Sequence, residues 1–295
     1  MRRIDLLAAA MTLATATPAY AGDTAVKPGD AGVTSVSLST VAPGLGGEPA
    51  VKPDESGKTS VSLSGGFDYS SGKYGERKST DILVGLTNLS VSADDFLFTA
   101  SLPYLTITGP SFVVVGPGGV PVLVTPRPGT DSTGRSGWGD LNLGLTYTLP
   151  SKDLDDWEIA VTARTKVATA DASKGLSTGA TDFGFYVDIS HQFDIWSPFV
   201  NFGYRVPGKP SFYSFDDAPS FSVGTSVALG NDLVAIASYD FDGSISSTLA
   251  DAQQLFASLS WLVSDNISLT VYADDGLSSG APKVGTGLLI SWKIR

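Results

Sequence analysis

Between Gly179 and Asp194 apolar and polar residues alternate almost without error, and the pattern recurs about a dozen times after residue 58. Phe183, Phe185, Val187, Ile189, His191 and Phe193 share one face; Asp182, Gly184, Tyr186, Asp188, Ser190 and Gln192 share the other. Side chains alternate across a strand with a period of two, so one face requires apolar surroundings and the other accepts water. Many such segments in one chain predict a β-barrel, greasy outside and wet inside.

The first residues carry an export signal. Arg2 and Arg3 give a basic start, Leu6 to Ala16 an apolar stretch, and Ala19-Tyr20-Ala21 a small-x-small cleavage site before Gly22. The apolar stretch is too short for a spanning helix, which needs about 20 residues. Residues 1–21 therefore read as a signal peptide, 22–57 as an N-terminal extension and 58–295 as the barrel. There is no cysteine, which excludes disulfides and thiolate metal sites. A net charge of −11 leaves nothing to neutralise phosphates, so no nucleic-acid partner is expected. No later apolar run is long enough for a helical span, and charged residues make up only 17%, which suits a barrel in which alternate residues meet lipid.

The extension is duplicated. Gly22 to Ser39 returns as Gly47 to Ser64, with 12 of 18 aligned positions identical. Two copies do not make a solenoid, which needs three or more. The second copy runs into the first candidate strand, whereas the first is followed by Pro43-Gly44-Leu45-Gly46-Gly47, which breaks any strand. Residues 22–57 read as a flexible periplasmic segment, with a plug in the barrel lumen as the alternative.

Candidate strands are 59–70, 79–92, 94–108, 137–150, 155–170, 180–193, 197–207, 219–230, 232–242, 251–264, 267–275 and 283–294. Short connections (Ala93, Ser151 to Leu154, Asp194 to Trp196, Asn231, Asp265-Asn266) alternate with longer ones (71–78, 109–136, 171–179, 208–218, 243–250, 276–282). Bacterial outer-membrane barrels have an even strand number, short periplasmic turns and longer outer loops. The fold expected is all-β: a transmembrane, antiparallel, up-and-down β-barrel of about 12 strands, in the outer membrane of a Gram-negative cell, with outer-membrane lipid as its solvent. A soluble β-sandwich also alternates. It does not account for so many apolar faces, nor for aromatics such as Phe96, Phe98, Tyr104, Trp157 and Trp292 at strand ends, where interfacial girdles sit.

Little in the chain suggests catalysis. The one histidine, His191, shares parity with Phe183 and Phe185 and so lies on the lipid-facing row near a periplasmic turn. Barrel phospholipases pair a histidine with a serine; no comparable His-x-Ser constellation stands on an outer strand here, and no enzyme is expected. No cofactor or metal is expected either. Asp216-Asp217 and Asp274-Asp275 read as acids of outer loops, where calcium would bind only loosely. Asp94-Asp95 and Asp155-Asp156 flank periplasmic turns, which their turn propensity explains.

The polar rows carry the functional reading. On strand 155–170, Trp157, Ile159 and Val161 point outward, so Glu158, Thr162, Arg164 and Lys166 point inward. By the same parity Asp140, Asn142, Asp182, Asp188, Asn201 and Arg205 face the lumen. Charges of both signs there either line an aqueous path, setting its selectivity, or form an internal salt-bridge core. The loop from Gly109 to Ser136 is long and apolar, with Phe112-Val113-Val114-Val115 and Val120-Pro121-Val122-Leu123-Val124. It either extends the barrel as a hairpin or folds over the mouth to receive an apolar substrate.

Two stretches, Ser101-Leu102-Pro103-Tyr104-Leu105-Thr106-Ile107-Thr108-Gly109-Pro110 and Gly137-Trp138-Gly139-Asp140-Leu141-Asn142-Leu143-Gly144-Leu145-Thr146-Tyr147, carry a resemblance. A strand ending Pro-Tyr before a Gly-Pro loop, then Gly-x-Gly-Asp opening an alternating strand, resembles the outer-membrane family named for the meta-pathway of phenol degradation. The resemblance implies a porin-like transporter barrel for small, often aromatic, solutes. Its alternative is a closed-lumen barrel with a structural or surface-interaction role. Outer-membrane barrels commonly end in an aromatic residue read by the barrel assembly machinery. Here Trp292 is near the end and Arg295 is last, a departure that bears on assembly rather than on fold.

Overall fold

The computed structural model describes residues 59–74, 76–110, 113–115, 121–123, 134–150, 156–210 and 213–294. Sixteen strands follow in chain order: β1 Ser60–Gly72, β2 Thr80–Ala93, β3 Phe96–Ser101, β4 Tyr104–Thr108, β5 Val113–Val115, β6 Pro121–Leu123, β7 Gly134–Trp138, β8 Leu141–Thr148, β9 Trp157–Val167, β10 Asp182–His191, β11 Trp196–Val206, β12 Ala218–Ala228, β13 Leu233–Asp242, β14 Ala252–Ser264, β15 Ile267–Gly276 and β16 Val284–Lys293. The expected signal peptide and extension, residues 1–57, lie outside the described residues.

Two pairs of these strands are single barrel strands, each interrupted once. β3 and β4 both pair with β2, while β8 pairs with β3 and β7 with β4. Counted so, twelve antiparallel strands run in sequence order around the barrel. β1 closes it by pairing with both β2 and β16. Each of the twelve expected segments corresponds to one of these strands. Closure leaves no free sheet edge, the condition for a sheet to cross lipid.

The alternation is realised throughout. In β10, Phe183 and Phe185 are 50% and 55% exposed, while Asp182 and Tyr186 on the opposite face are buried. The outward rows of the other strands show the same bias, with Leu63, Phe67, Leu83, Leu145, Val161, Phe202, Val223, Leu255 and Val271 exposed. Such a surface is stable only against hydrocarbon. Aromatic rings gather at both ends of it. At the end where β1 begins and β16 ends, the Phe96 and Tyr147 rings meet at a tilt, 5.0 Å apart, and His191 lies between Trp157 at 4.6 Å and Phe193 at 4.1 Å. At the other, Tyr104 meets Trp138 edge-on at 5.4 Å and Phe221 stacks on Phe241 at 5.2 Å. These are the two interfacial belts.

Two periplasmic turns are placed differently from the expectation. Ala93 belongs to β2 and Trp196 to β11, so the turns there are Asp94-Asp95 and Asp194-Ile195. Asp94, Asp156 and Asp194 all adopt left-handed backbone, with φ of 49°, 64° and 52°. Asp tolerates that region better than most residues because its short polar side chain bonds locally.

Asp274-Asp275 is a correction. Both lie within β15, which runs to Gly276, rather than in an outer loop. Asp274 faces inward and Asp275 outward, so they cannot chelate one ion together, because neighbouring strand residues point to opposite faces.

Candidate functional site

Two neighbouring strands of the barrel wall break side by side, and the site is built around that break. Pro103 has no N–H and cannot continue the ladder, so the strand breaks between Ser101 and Tyr104. The adjacent strand breaks at Gly139-Asp140. Two stitches bridge the gap: Leu102 N–H donates to the Thr87 carbonyl at 3.1 Å, and Gly139 N–H to the Pro103 carbonyl at 2.8 Å. Glycine is needed at 139, because a Cβ there would lie 2.9 Å from Pro103 Cγ and 3.1 Å from Leu105 Cδ1.

The break frees Asp140 from the ladder and turns it into an anchor. Its carboxylate accepts the Thr169 and Ala170 N–H groups at 3.0 and 2.9 Å, the Lys166 ammonium at 2.8 Å, and the Ser177 hydroxyl. Lys166 also lies 2.9 Å from Asp182 and donates to the Ala180 carbonyl at 3.0 Å. Asp182 in turn accepts the Gly208 N–H at 2.7 Å. The three charged side chains are all buried at the outer rim. One cation held between two carboxylates thus fastens the outer loop 168–181 to the barrel.

The remaining inward polar residues fall into separate pairs. Arg205 meets Asp242 at 3.3 Å and donates to the Gly243 carbonyl at 2.8 Å, fastening another outer loop. Asn201 donates to Asp188 at 2.7 Å, Asn142 to the Asp140 carbonyl at 3.0 Å, and the Arg164 guanidinium sits 5.2 Å from the centre of the Tyr186 ring. Glu158, near the opposite end of β9, stands apart from the rim cluster.

Two apolar clusters interrupt this polar interior. Ile82, Val84, Leu105 and Ile107 project from β2 and β4 beside the wall break, packed with Val115 and Leu176. Phe199, Ile236, Phe256 and Tyr272 form the second. The hairpin of β5 and β6 is a separate two-stranded sheet, not an extension of the barrel wall. Its Val115 joins the first cluster, and its Val113 packs against Tyr74 of the first outer loop and Leu249 of the fifth. Burial pushes the Tyr74 phenol well above its ordinary range, so the group is neutral at physiological pH. Arg135 ties the hairpin down: its guanidinium donates to the Val113 carbonyl, to Pro110 at 3.5 Å, and to Gly175 of the next loop at 3.2 Å.

The sequence reading does not single out Asp68, Asp240, Asp242, Gln254 or Tyr272, and it places Asp274 in an outer loop. All face inward, and the alternation of their own strands marks them as clearly as it marks Asp182.

A family model described as "Putative MetA-pathway of phenol degradation" matches residues 50–294. The chain belongs to this family. The match spans all twelve barrel strands, and within it the motif residues Pro103, Gly139 and Asp140 are those that break the wall and anchor the loop. The barrel is an outer-membrane protein, as its closed sheet and lipid-compatible exterior require. No curated protein matches the sequence. Among solved structures, a NanC porin is 12% identical, with 78% of this chain and 97% of that one covered and a TM-score of 0.46. The Ralstonia pickettii toluene transporter TbuX is 14% identical, with 88% and 96% covered and a TM-score of 0.42.

Proposed function

We propose that this protein is a passive outer-membrane channel for small solutes, including apolar or aromatic ones, with Asp140, Lys166, Asp182 and Arg205 shaping its entrance and Asn142, Glu158, Arg164, Asp188 and Asn201 lining the path below. The observation that carries the reading is the apolar cluster on the inner wall at the outer mouth, Ile82, Val84, Leu105 and Ile107. Inward positions of a water-filled barrel are ordinarily polar. These side chains are at most 2% exposed beneath Val115 and Leu176 of two outer loops, so a solute with an apolar surface meets them where those loops part.

The buried ion pairs at the rim favour a second reading, a lumen closed by its own salt bridges with a structural role. Swelling of proteoliposomes separates the two. A neutral sugar and its aryl glycoside, neither of which crosses lipid readily, are compared as osmolytes. The channel reading expects swelling with both, and an aryl glycoside rate that does not fall with its larger size. Absence of swelling with either, in protein shown to be folded, would establish the closed barrel.

A further inference from the structure

The inward charges segregate around the barrel. Arg164, Lys166 and Arg205 lie on β9 and β11, and the last two are neutralised by Asp140, Asp182 and Asp242. Asp68, Asp240 and Asp274 lie on β1, β13 and β15, and no described Lys or Arg forms an ion pair with any of them. Among the described residues Asp68, 4% exposed, accepts only the Tyr272 hydroxyl, at 3.0 Å, and its Oδ1 has no partner. Asp240 is 3% exposed and accepts the Ser238 hydroxyl, while Asp274 Oδ2 is buried without a partner.

Two further features place these carboxylates together. β16 separates β15 from β1, and it carries glycine at both inward positions between them. A Cβ at 285 would lie 2.2 Å from Asp274 Oδ1, and one at 287 would lie 2.2 Å from the Tyr272 ring. The bare backbone therefore lets both side chains lean across β16 toward Asp68, which is the register partner of Gly287. On the other side Gln254, the register partner of Asp240, is 1% exposed; its amide N–H2 lies against the Asp240 carboxylate, and among the described residues its amide oxygen has no partner. A buried amide oxygen without a donor, beside carboxylates without a counter-charge, is an arrangement short of a cation.

We infer that Asp68, Asp240 and Asp274 form a charge filter on the lumen wall that admits cationic and neutral solutes and turns anions away. The inference rests on the channel reading above and specifies its solute class. Carboxylates grouped in a lumen without fixed counter-charge repel one another and any anion. A passing cation relieves that repulsion through the field of the carboxylates. Such a one-signed lining raises the local concentration of counter-ions. The rim ion pairs do not cancel it, because their own charges are already compensated.

The test is the reversal potential of the folded barrel in a planar bilayer under a potassium chloride gradient, with folding checked by heat-modifiable migration. The expected result is K⁺ favoured over Cl⁻ on the order of tenfold. In the Asp68→Asn/Asp240→Asn/Asp274→Asn variant the ratio falls to near one while current persists. The single Asp274→Asn variant, at a less buried position, gives an intermediate ratio should the triple variant not fold. Benzylammonium is expected to carry current and benzoate not. Current that is unselective or anion-selective in the wild type, or selectivity unchanged in the variants, overturns the filter and leaves the channel intact. A silent bilayer with folded protein overturns both.

Discussion

Lys166 is the residue on which the outer rim depends. Its ammonium is the only cation within ion-pair distance of both Asp140 and Asp182 among the described residues, and all three are at most 4% exposed. Removing one partner of a buried pair leaves an uncompensated charge, which costs about 3–5 kcal/mol. Lys166→Met, similar in volume, is expected to destabilise the folded barrel by about that amount, read as a shift of the heat-modifiable transition. It also releases loop 168–181 to protease. Asp182→Asn in the Lys166→Met background recovers part of the loss, because one of the stranded carboxylates is gone. Alternation alone puts Asp140, Lys166 and Asp182 on polar rows, but it does not show that they meet. Contact depends on the cross-strand register, Asp182 opposite Lys166 and Lys166 opposite Asn142, and on the wall break that swings Asp140 into reach. Neither is visible in any single strand.

At the scale of elements, the strands and the alternation of short and long connections were legible because both follow from a period of two and a membrane of fixed thickness. The breaks at Pro103 and Gly139 were less so. Pro103 does carry a signal, since proline in a central strand cannot donate to the ladder. Its partner Gly139 becomes meaningful only once the two are seen to touch. The periplasmic turns give a sharper check. Asp194 holds a φ of 52° between β10 and β11, and a β-branched residue there pays steric strain on the order of 1–2 kcal/mol. Asp194→Val is therefore expected to lower the urea midpoint of the folded barrel, and Asp194→Gly to leave it unchanged or raise it. A Val variant as stable as the wild type would show that the turn relaxes to another geometry.

For the whole molecule, the outer loops decide how freely the lumen communicates with the outside. Val113 packs against Tyr74 and Leu249, Val115 and Leu176 fill the apolar cluster, and Phe215 of the fourth loop meets Ile245 of the fifth. Arg135 joins two of these loops through carbonyl groups. Arg135→Gln shortens the donor fork, and the expected outcome is faster proteoliposome swelling with larger sugars while the barrel stays heat-modifiable. The loop packing could not be read from the sequence, because apolar residues in a loop show only that they need cover. What covers them is set by which loops the barrel brings together. A closed twelve-stranded barrel that provides a path across the outer membrane must conduct, and single-channel recording on folded protein reads this. Stepwise conductance is predicted, and a bilayer that stays silent after insertion of heat-modifiable protein would contradict it.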